Sequence, residues 1–211
     1  MMTRSYRLAA AGAAAVLAGF AMSANASNLL VNPGFEGDGP SASVSVPTGW
    51  TSDAAYNLHP SFNFVTNNPV FVYAGARALS ISNYEYEATP HLFQTFADVV
   101  GATYYVSFYA TSLFGGAGAF LDVSAGGSDL ALHGTLPAYT LYSFNFVGTG
   151  SDTLSIGAAN SQGYYYVDGV SVEGLSAGVP EPATWAMMLV GFGGLGAAIR
   201  RRRSQAALAA A

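Results

Sequence analysis

Thr103-Tyr104-Tyr105-Val106-Ser107-Phe108-Tyr109-Ala110-Thr111 is the stretch on which the fold turns. In an extended chain Tyr104, Val106, Phe108 and Ala110 share one face, while Tyr105, Ser107 and Tyr109 share the other. That is the period of two a half-buried strand requires. Tyr139 to Val147 repeats it, with Tyr142, Phe144 and Phe146 set against Leu141, Ser143 and Asn145. Working outward, further short runs rich in Val, Phe, Tyr, Thr and Ser predict strands at 43–46, 62–65, 70–73, 78–82, 91–96, 119–124, 130–133, 153–157 and 164–172. Gly, Asn, Asp and Pro clusters separate them, and no helical period of useful length occurs between residues 27 and 178. Many short strands at this spacing predict an all-β fold, a β-sandwich or jelly roll, as one domain over 27–178 with a short linker at 173–179.

The two ends are of a different kind. Arg4 and Arg7, the apolar run Leu8 to Phe20, and Ala24-Asn25-Ala26 have the three parts of a secretory signal peptide over 1–26, with cleavage after Ala26. Such a peptide implies the Sec translocon and signal peptidase as partners. At the other end, 183–199 is a run of 17 residues without a charge. As a helix it spans about 26 Å, close to the hydrocarbon thickness of a bilayer, and predicts a single C-terminal transmembrane helix. Arg200, Arg201, Arg202 and Arg203 would remain on the cytoplasmic side, with a disordered cytoplasmic tail at 204–211. Gly191, Gly193, Gly194 and Gly196, with Ala197 and Ala198, form small-xxx-small pairs suited to close helix packing.

The ends distort the charge. The chain carries a formal −5, yet Arg4, Arg7 and Arg200 to Arg203 account for all but one of its seven basic residues. Between the signals stand eleven of the twelve acidic residues against Arg77 alone. A domain so acidic lacks the clustered Lys and Arg that nucleic acid or an anionic lipid surface requires. Cations or neutral polar ligands suit it better. With no cysteine, neither a disulfide nor a thiolate metal site can form. About 150 residues nevertheless suffice to bury roughly two-thirds of the unfolded surface.

The tail resembles the PEP-CTERM sorting signal, on Pro180-Glu181-Pro182, Trp185 three residues beyond the second proline, the apolar run and the arginine block at 179–203. The resemblance implies an exosortase as partner, with Pro180-Glu181-Pro182 as its recognition motif. The chain would then be anchored transiently in the inner membrane of a Gram-negative bacterium, and afterwards sent to the cell surface or medium. Both prolines favour an extended motif outside any helix. A second resemblance lies in the domain. Asn28 to Glu36, Pro47-Thr48-Gly49-Trp50, His91 to Phe96 followed by Gly101 to Phe108, and the closing Tyr166 to Val172 look like galactose-binding and carbohydrate-binding-module jelly rolls.

That second resemblance implies a structural calcium ion held by Glu36 and Asp168, with Asp38 as a third ligand. Carboxylates are the hard oxygen donors calcium takes. The same residues also read as turn and edge positions, and Asp168-Gly169 as a bulge. Tyr84-Glu85-Tyr86-Glu87 and Tyr164-Tyr165-Tyr166 set rings beside hydrogen-bonding groups, which makes Tyr84, Tyr86 and Tyr164 the candidate ligand-binding residues. Alternating tyrosines can equally be half core and half solvated face. Glu85 and Glu87, two apart on a strand, would share a face at the separation of a glycosidase pair. No nucleophile elbow, HExxH, P-loop or GxGxxG accompanies them. His59, His91 and His133 are scattered, without metal spacing, and Gly126-Gly127-Ser128-Asp129 reads as a turn. The expectation is an exported, non-catalytic surface or matrix protein that binds carbohydrate in an exopolysaccharide or biofilm setting. The alternative is a structural surface protein without a specific small ligand, and a glycoside-active enzyme ranks third.

Overall fold

The computed structural model describes residues 27–38, 45–175 and 182–209. Its strands are β1 (Thr51–Ser52), β2 (Phe64–Thr66), β3 (Ala78–Ile81), β4 (His91–Ala97), β5 (Thr103–Ser112), β6 (Phe120–Ala125), β7 (Ser128–His133), β8 (Leu136–Val147), β9 (Ser151–Ala159) and β10 (Tyr165–Gly174). They form two five-stranded antiparallel sheets, ordered β1-β4-β9-β6-β7 and β2-β3-β10-β5-β8. The fold is a β-sandwich of the jelly-roll class.

The alternation expected from Thr103–Thr111 is what the sheets use. Val106, Phe108 and Ala110 are wholly buried, while Tyr105, Ser107 and Tyr109 on the other face are only half-buried. They meet Leu79, Ile81, Leu92, Leu121, Leu154 and Ile156 in one core between the sheets. Each such side chain contributes about 1.5–3 kcal/mol by leaving water, so a chain without disulfides can hold this fold. Tight turns fix the register. Gly126 and Gly127, at φ 55° and 77°, make the two-residue loop between β6 and β7, a conformation that needs residues free of a Cβ clash.

The opening residues are not a regular strand; they are strapped to β10 instead. The Asn28 side chain donates to the Val170 carbonyl (2.9 Å) and accepts from the Val172 N–H (3.0 Å). The Val170 N–H donates to the Pro33 carbonyl (3.1 Å). Trp50 packs against Phe35 (centroids 5.5 Å apart) and donates through Nε1 to the Asn32 carbonyl.

Several expected elements differ. The strand at 70–73 is a 3-10 turn, Pro69–Phe71, because Asn68 caps it by accepting from the Val70 N–H and Pro69 fits its first position. Of the strand at 43–46, residues 43 and 44 lie outside the described residues, and Ser45 and Val46 form a bend. The linker expected from 173 begins later, since β10 continues to Gly174. A short helix not foreseen, α1 (Ala54–Leu58), is nucleated by Asp53, whose carboxylate accepts from the Tyr56 N–H (2.7 Å).

The C-terminal tail is a separate unit, containing helix α2 (Pro182–Ala209). Pro182 is its first residue, so the second proline of the sorting motif lies inside the helix, where its missing N–H costs nothing. The helix also runs through 204–209, which corrects the disordered tail expected there; alanine and leucine favour helix. Residues 183–199 are helical, but no helix among the described residues is long and apolar enough to cross a membrane. The glycines dilute the apolar run, and the arginines end it. A Cβ added at Gly191, Gly193, Gly194 or Gly196 would meet open space. The signal peptide, with Ala24 and Ala26, and Pro180 and Glu181 lie outside the described residues.

Candidate functional site

Two loops at one end of the sandwich build an aromatic cleft. The loop after β3 turns at Tyr84, where the Glu87 N–H donates to the Tyr84 carbonyl, and closes with the Asn83 side chain donating to the Ala88 carbonyl. The β9–β10 loop is tied to it. The Asn160 N–H donates to the Asn83 carbonyl (2.8 Å), and the buried Ser82 hydroxyl bonds the Asn160 and Gly163 carbonyls (2.9 and 2.7 Å). With its backbone polar groups paired this way, the region is held rigidly despite lacking regular structure.

The predicted tyrosines converge on this frame. Phe62 lies between Tyr84 and Tyr164, its ring edge-on to both at 5.6 and 5.9 Å, and Tyr86 stacks on Tyr84 at 5.4 Å. Phe62, Tyr84 and Tyr164 line a cleft of about 200 Å³, whose polar wall is Asn160, Ser161 and Gln162. Across Gln162-Gly163-Tyr164 a second cleft of about 270 Å³ is lined by Phe71, Leu113, Phe114 and Tyr166. Phe71 stacks flat on Tyr166 at 4.2 Å and forms its floor. Burial pushes the Tyr166 phenol up to about 12, so it remains a neutral donor at physiological pH.

Glu85 and Glu87 are not two apart on a strand. Residues 84–87 are a turn, so the shared strand face expected for them does not exist. Glu87 pairs with His59 (2.8 Å), which stacks on Phe62, and the Glu85 backbone N–H donates to the Ser161 hydroxyl (3.2 Å). Sequence reading missed His59 and Phe62 because their neighbours come from distant loops; the aromatic His-Pro-Ser-Phe run at 59–62 was the available signal.

The expected calcium ligands are brought only partly together. A Cβ on Gly34 would lie 3.8 Å from Glu36 Cγ and 3.9 Å from Asp168 Oδ1, so both side chains flank Gly34. Asp38 turns away and binds the Thr48 N–H and hydroxyl and the Asn32 side chain. Asp168 is buried beneath residues 71–74, accepting from the Tyr73 and Ala74 N–H (3.0 Å each) and from Gly169 N–H (2.6 Å). Glu36 Oε1 accepts from Ala76 and Arg77 N–H (2.8 and 2.9 Å). Burial pushes the Asp168 carboxyl above the usual range, and the Glu36 charge adds to this, while the three N–H groups oppose it. No group of three metal-ligating side chains occurs among the described residues. The pair fits a cation only as two carboxylates. Asp168-Gly169 is also a bulge, with the β10–β5 register slipping there and Gly169 at φ 56°.

On the outer face of the other sheet, His91 donates or accepts at Asp53 (2.9 Å) and lies over Gly157, with Asp122 in register across that glycine. Burial raises the Asp122 carboxyl, Asp129 adds to the rise and His91 opposes it. The scattered spacing of the histidines gave no sign of this row. Only the pairing of β4, β9 and β6 assembles it.

Residues 178–203 match the family model of the PEP-CTERM protein-sorting motif. No curated protein matches the chain. Among solved structures, the chain is similar to TmCBM61 in complex with beta-1,4-galactotriose, at 16% identity over 69% of this chain and 97% of that one, TM-score 0.49. It is also similar to the CBM22-1 xylan-binding domain of Xyn10C from Paenibacillus barcinonensis, at 16% identity, 74% and 99% coverage and TM-score 0.47. A third likeness is to the enzymatically active domain of tailspike protein 4 from bacteriophage CBA120, at 12% identity over 70% of this chain and 21% of that chain, TM-score 0.46. The sorting motif implies export and sorting to the cell surface.

Proposed function

We propose that the sandwich is a non-catalytic glycan-binding domain, carried to the cell surface or matrix by the sorting tail. The carrying observation is the convergence of Tyr84, Tyr86 and Tyr164 with Phe62 against the polar wall of Asn160 and Gln162. Aromatic faces stack on the C–H side of a sugar ring, and amides and hydroxyls take its hydroxyl groups. A groove of about 200 Å³ has room for roughly one ring at a time. Of the two carboxylates around it, Glu87 is engaged with His59 (2.8 Å), and Glu85 accepts a long bond from the Ser161 N–H (3.5 Å).

Sec export with signal-peptide removal, then exosortase recognition of Pro180-Glu181-Pro182, completes the proposed route, with extracellular polysaccharide as the ligand source. A calcium ion between Glu36 and Asp168 would neutralise two adjacent carboxylates and tie the opening segment to β10. It belongs to the stability of the domain, not to sugar contact.

A glycan array probed with the purified chain and with Tyr84→Ala tests the binding. Retention of a neutral glycan at millimolar concentration, weakened about tenfold or more in the variant, is expected. No retained glycan would favour the structural surface protein.

A further inference from the structure

The aromatic groove shares Gln162, Gly163 and Tyr164 with a second cleft of opposite character, and that contrast says more about the ligand. The first cleft is walled by amides and hydroxyls, Asn160, Ser161, Gln162 and Ser82. The second is walled by Phe71, Leu113, Phe114 and Tyr166, with Tyr164 standing between the two. Leu113 and Phe114 are 49% and 65% exposed, an unfavourable placement for free apolar side chains.

Phe114 is nevertheless held in place. Its carbonyl accepts from the buried Asn160 Nδ2 and the buried Ser112 hydroxyl, both at 2.6 Å. Gly163 leaves room for it, since a Cβ there would press on Phe114 at 3.3 Å. Asn160 also accepts from the Gln162 N–H (3.1 Å), so one buried amide sets the geometry of both clefts. Two buried polar side chains thus fix the backbone that presents an exposed phenylalanine, which is pre-organisation for contact.

The charge nearby narrows the ligand further. Glu85 and Glu87 flank the tyrosines, and the imidazole beside them, His59, is bonded to Glu87. A uronate or sulfated polymer would meet carboxylates there.

Resting on the glycan-binding reading above, we propose that the ligand is a neutral polysaccharide bearing a methyl-terminated substituent. Its hydroxylated ring sits in the Tyr84–Asn160 cleft and its methyl group in the Phe71–Phe114–Tyr166 cleft. Two sources offer that methyl group: an O-acetyl ester, or the C6 methyl of a deoxyhexose.

The test is affinity electrophoresis of the purified chain in four gels. One pair holds partly acetylated glucomannan and the same polymer after alkaline de-esterification. The other holds a neutral rhamnan and a mannan. At least one methyl-bearing polymer should bind about fourfold tighter than its counterpart per substituent seated, the gain from burying one methyl group. The pair that discriminates identifies the source. Phe114→Ser, on an exposed side chain, should erase that preference while leaving the unsubstituted polymer bound as before. Equal binding within both pairs, or a preference that survives Phe114→Ser, overturns the proposal and leaves the glycan-binding reading standing. No binding of any polymer overturns both.

Discussion

Asp168 gathers three backbone N–H groups on one buried side chain, and removing it gives a calculable loss. Its carboxylate accepts the N–H groups of Tyr73, Ala74 and Gly169, which no strand pairing satisfies. Asp168→Ala leaves three amides without acceptors. At about 1–3 kcal/mol for each buried group left unpaired, reduced where water enters the gap, the expected cost is about 3–5 kcal/mol. For a domain of this size that lowers Tm by about 6–20 °C. Asp168→Asn keeps one oxygen for Tyr73 and Ala74 and turns an N–H2 toward Gly169. It loses one bond but removes repulsion with Glu36, so its cost should be only about 1 kcal/mol. Urea unfolding in chelator, followed by Trp50 and tyrosine fluorescence, measures both. If Asn costs as much as Ala in chelator, the carboxylate's charge rather than its acceptor geometry holds the segment, and the reasoning fails. The same melts in millimolar calcium test the ion. A midpoint unchanged by calcium in the wild type and in Glu36→Gln removes calcium from the account.

Stability should also respond to acid in an uncommon direction. Burial raises the Asp98, Asp122 and Asp168 carboxyls above their ordinary value, and raised groups give stability that is present at acid pH and lost as pH rises through their folded pKa. Asp152, lowered chiefly by its bond to Asp98 and the Thr149 contacts against an opposing burial effect, works the other way. The urea midpoint is therefore expected to rise as pH falls from neutrality toward the ordinary carboxylate range and to flatten in Asp98→Asn; a fall throughout that descent would contradict the assignment. Gly126→Ala should cost about 1–3 kcal/mol in the same assay, because the φ of 55° is strained for alanine and its Cβ would run into the Phe146 ring. For the sorting tail, Glu181→Ala should leave the chain cell-associated in its native host, read as unprocessed protein on a blot; processing at the normal rate would show that the motif is not what the exosortase reads.

How much of this was legible beforehand follows from the range over which each signal acts. The Thr103–Thr111 alternation survived because a sheet face reads residues two apart, and the sequence supplies that spacing directly. The 70–73 run failed for the converse reason. Val70, Phe71, Val72 and Tyr73 have strand composition, but Asn68 and Pro69 dictate a 3-10 turn, and local hydrogen bonding outweighed propensity. The tyrosines at 84, 86 and 164 were found by composition alone, and their meeting depended on Ser82 tying two loops 81 residues apart. For His59 and Phe62 the aromatic run at 59–62 was the available signal, while Phe114 carried none, since what makes these residues neighbours is the path of the chain.

The same distinction bears on the carboxylates. Glu36 and Asp168 were paired by resemblance and are adjacent, yet Asp38, chosen for its nearness in sequence, serves Thr48 and Asn32 instead. Proximity in the chain placed it in the right loop but on the wrong side of it. What Glu36 and Asp168 have in common is a set of backbone N–H donors from residues 73–77, a segment that crosses the outer face of β10 without strand pairing. Both acids are thus already needed to hold that segment. A bound cation would strengthen an existing clasp, and this is why Asp168→Asn in chelator, with the acceptor kept and the charge removed, is the informative substitution.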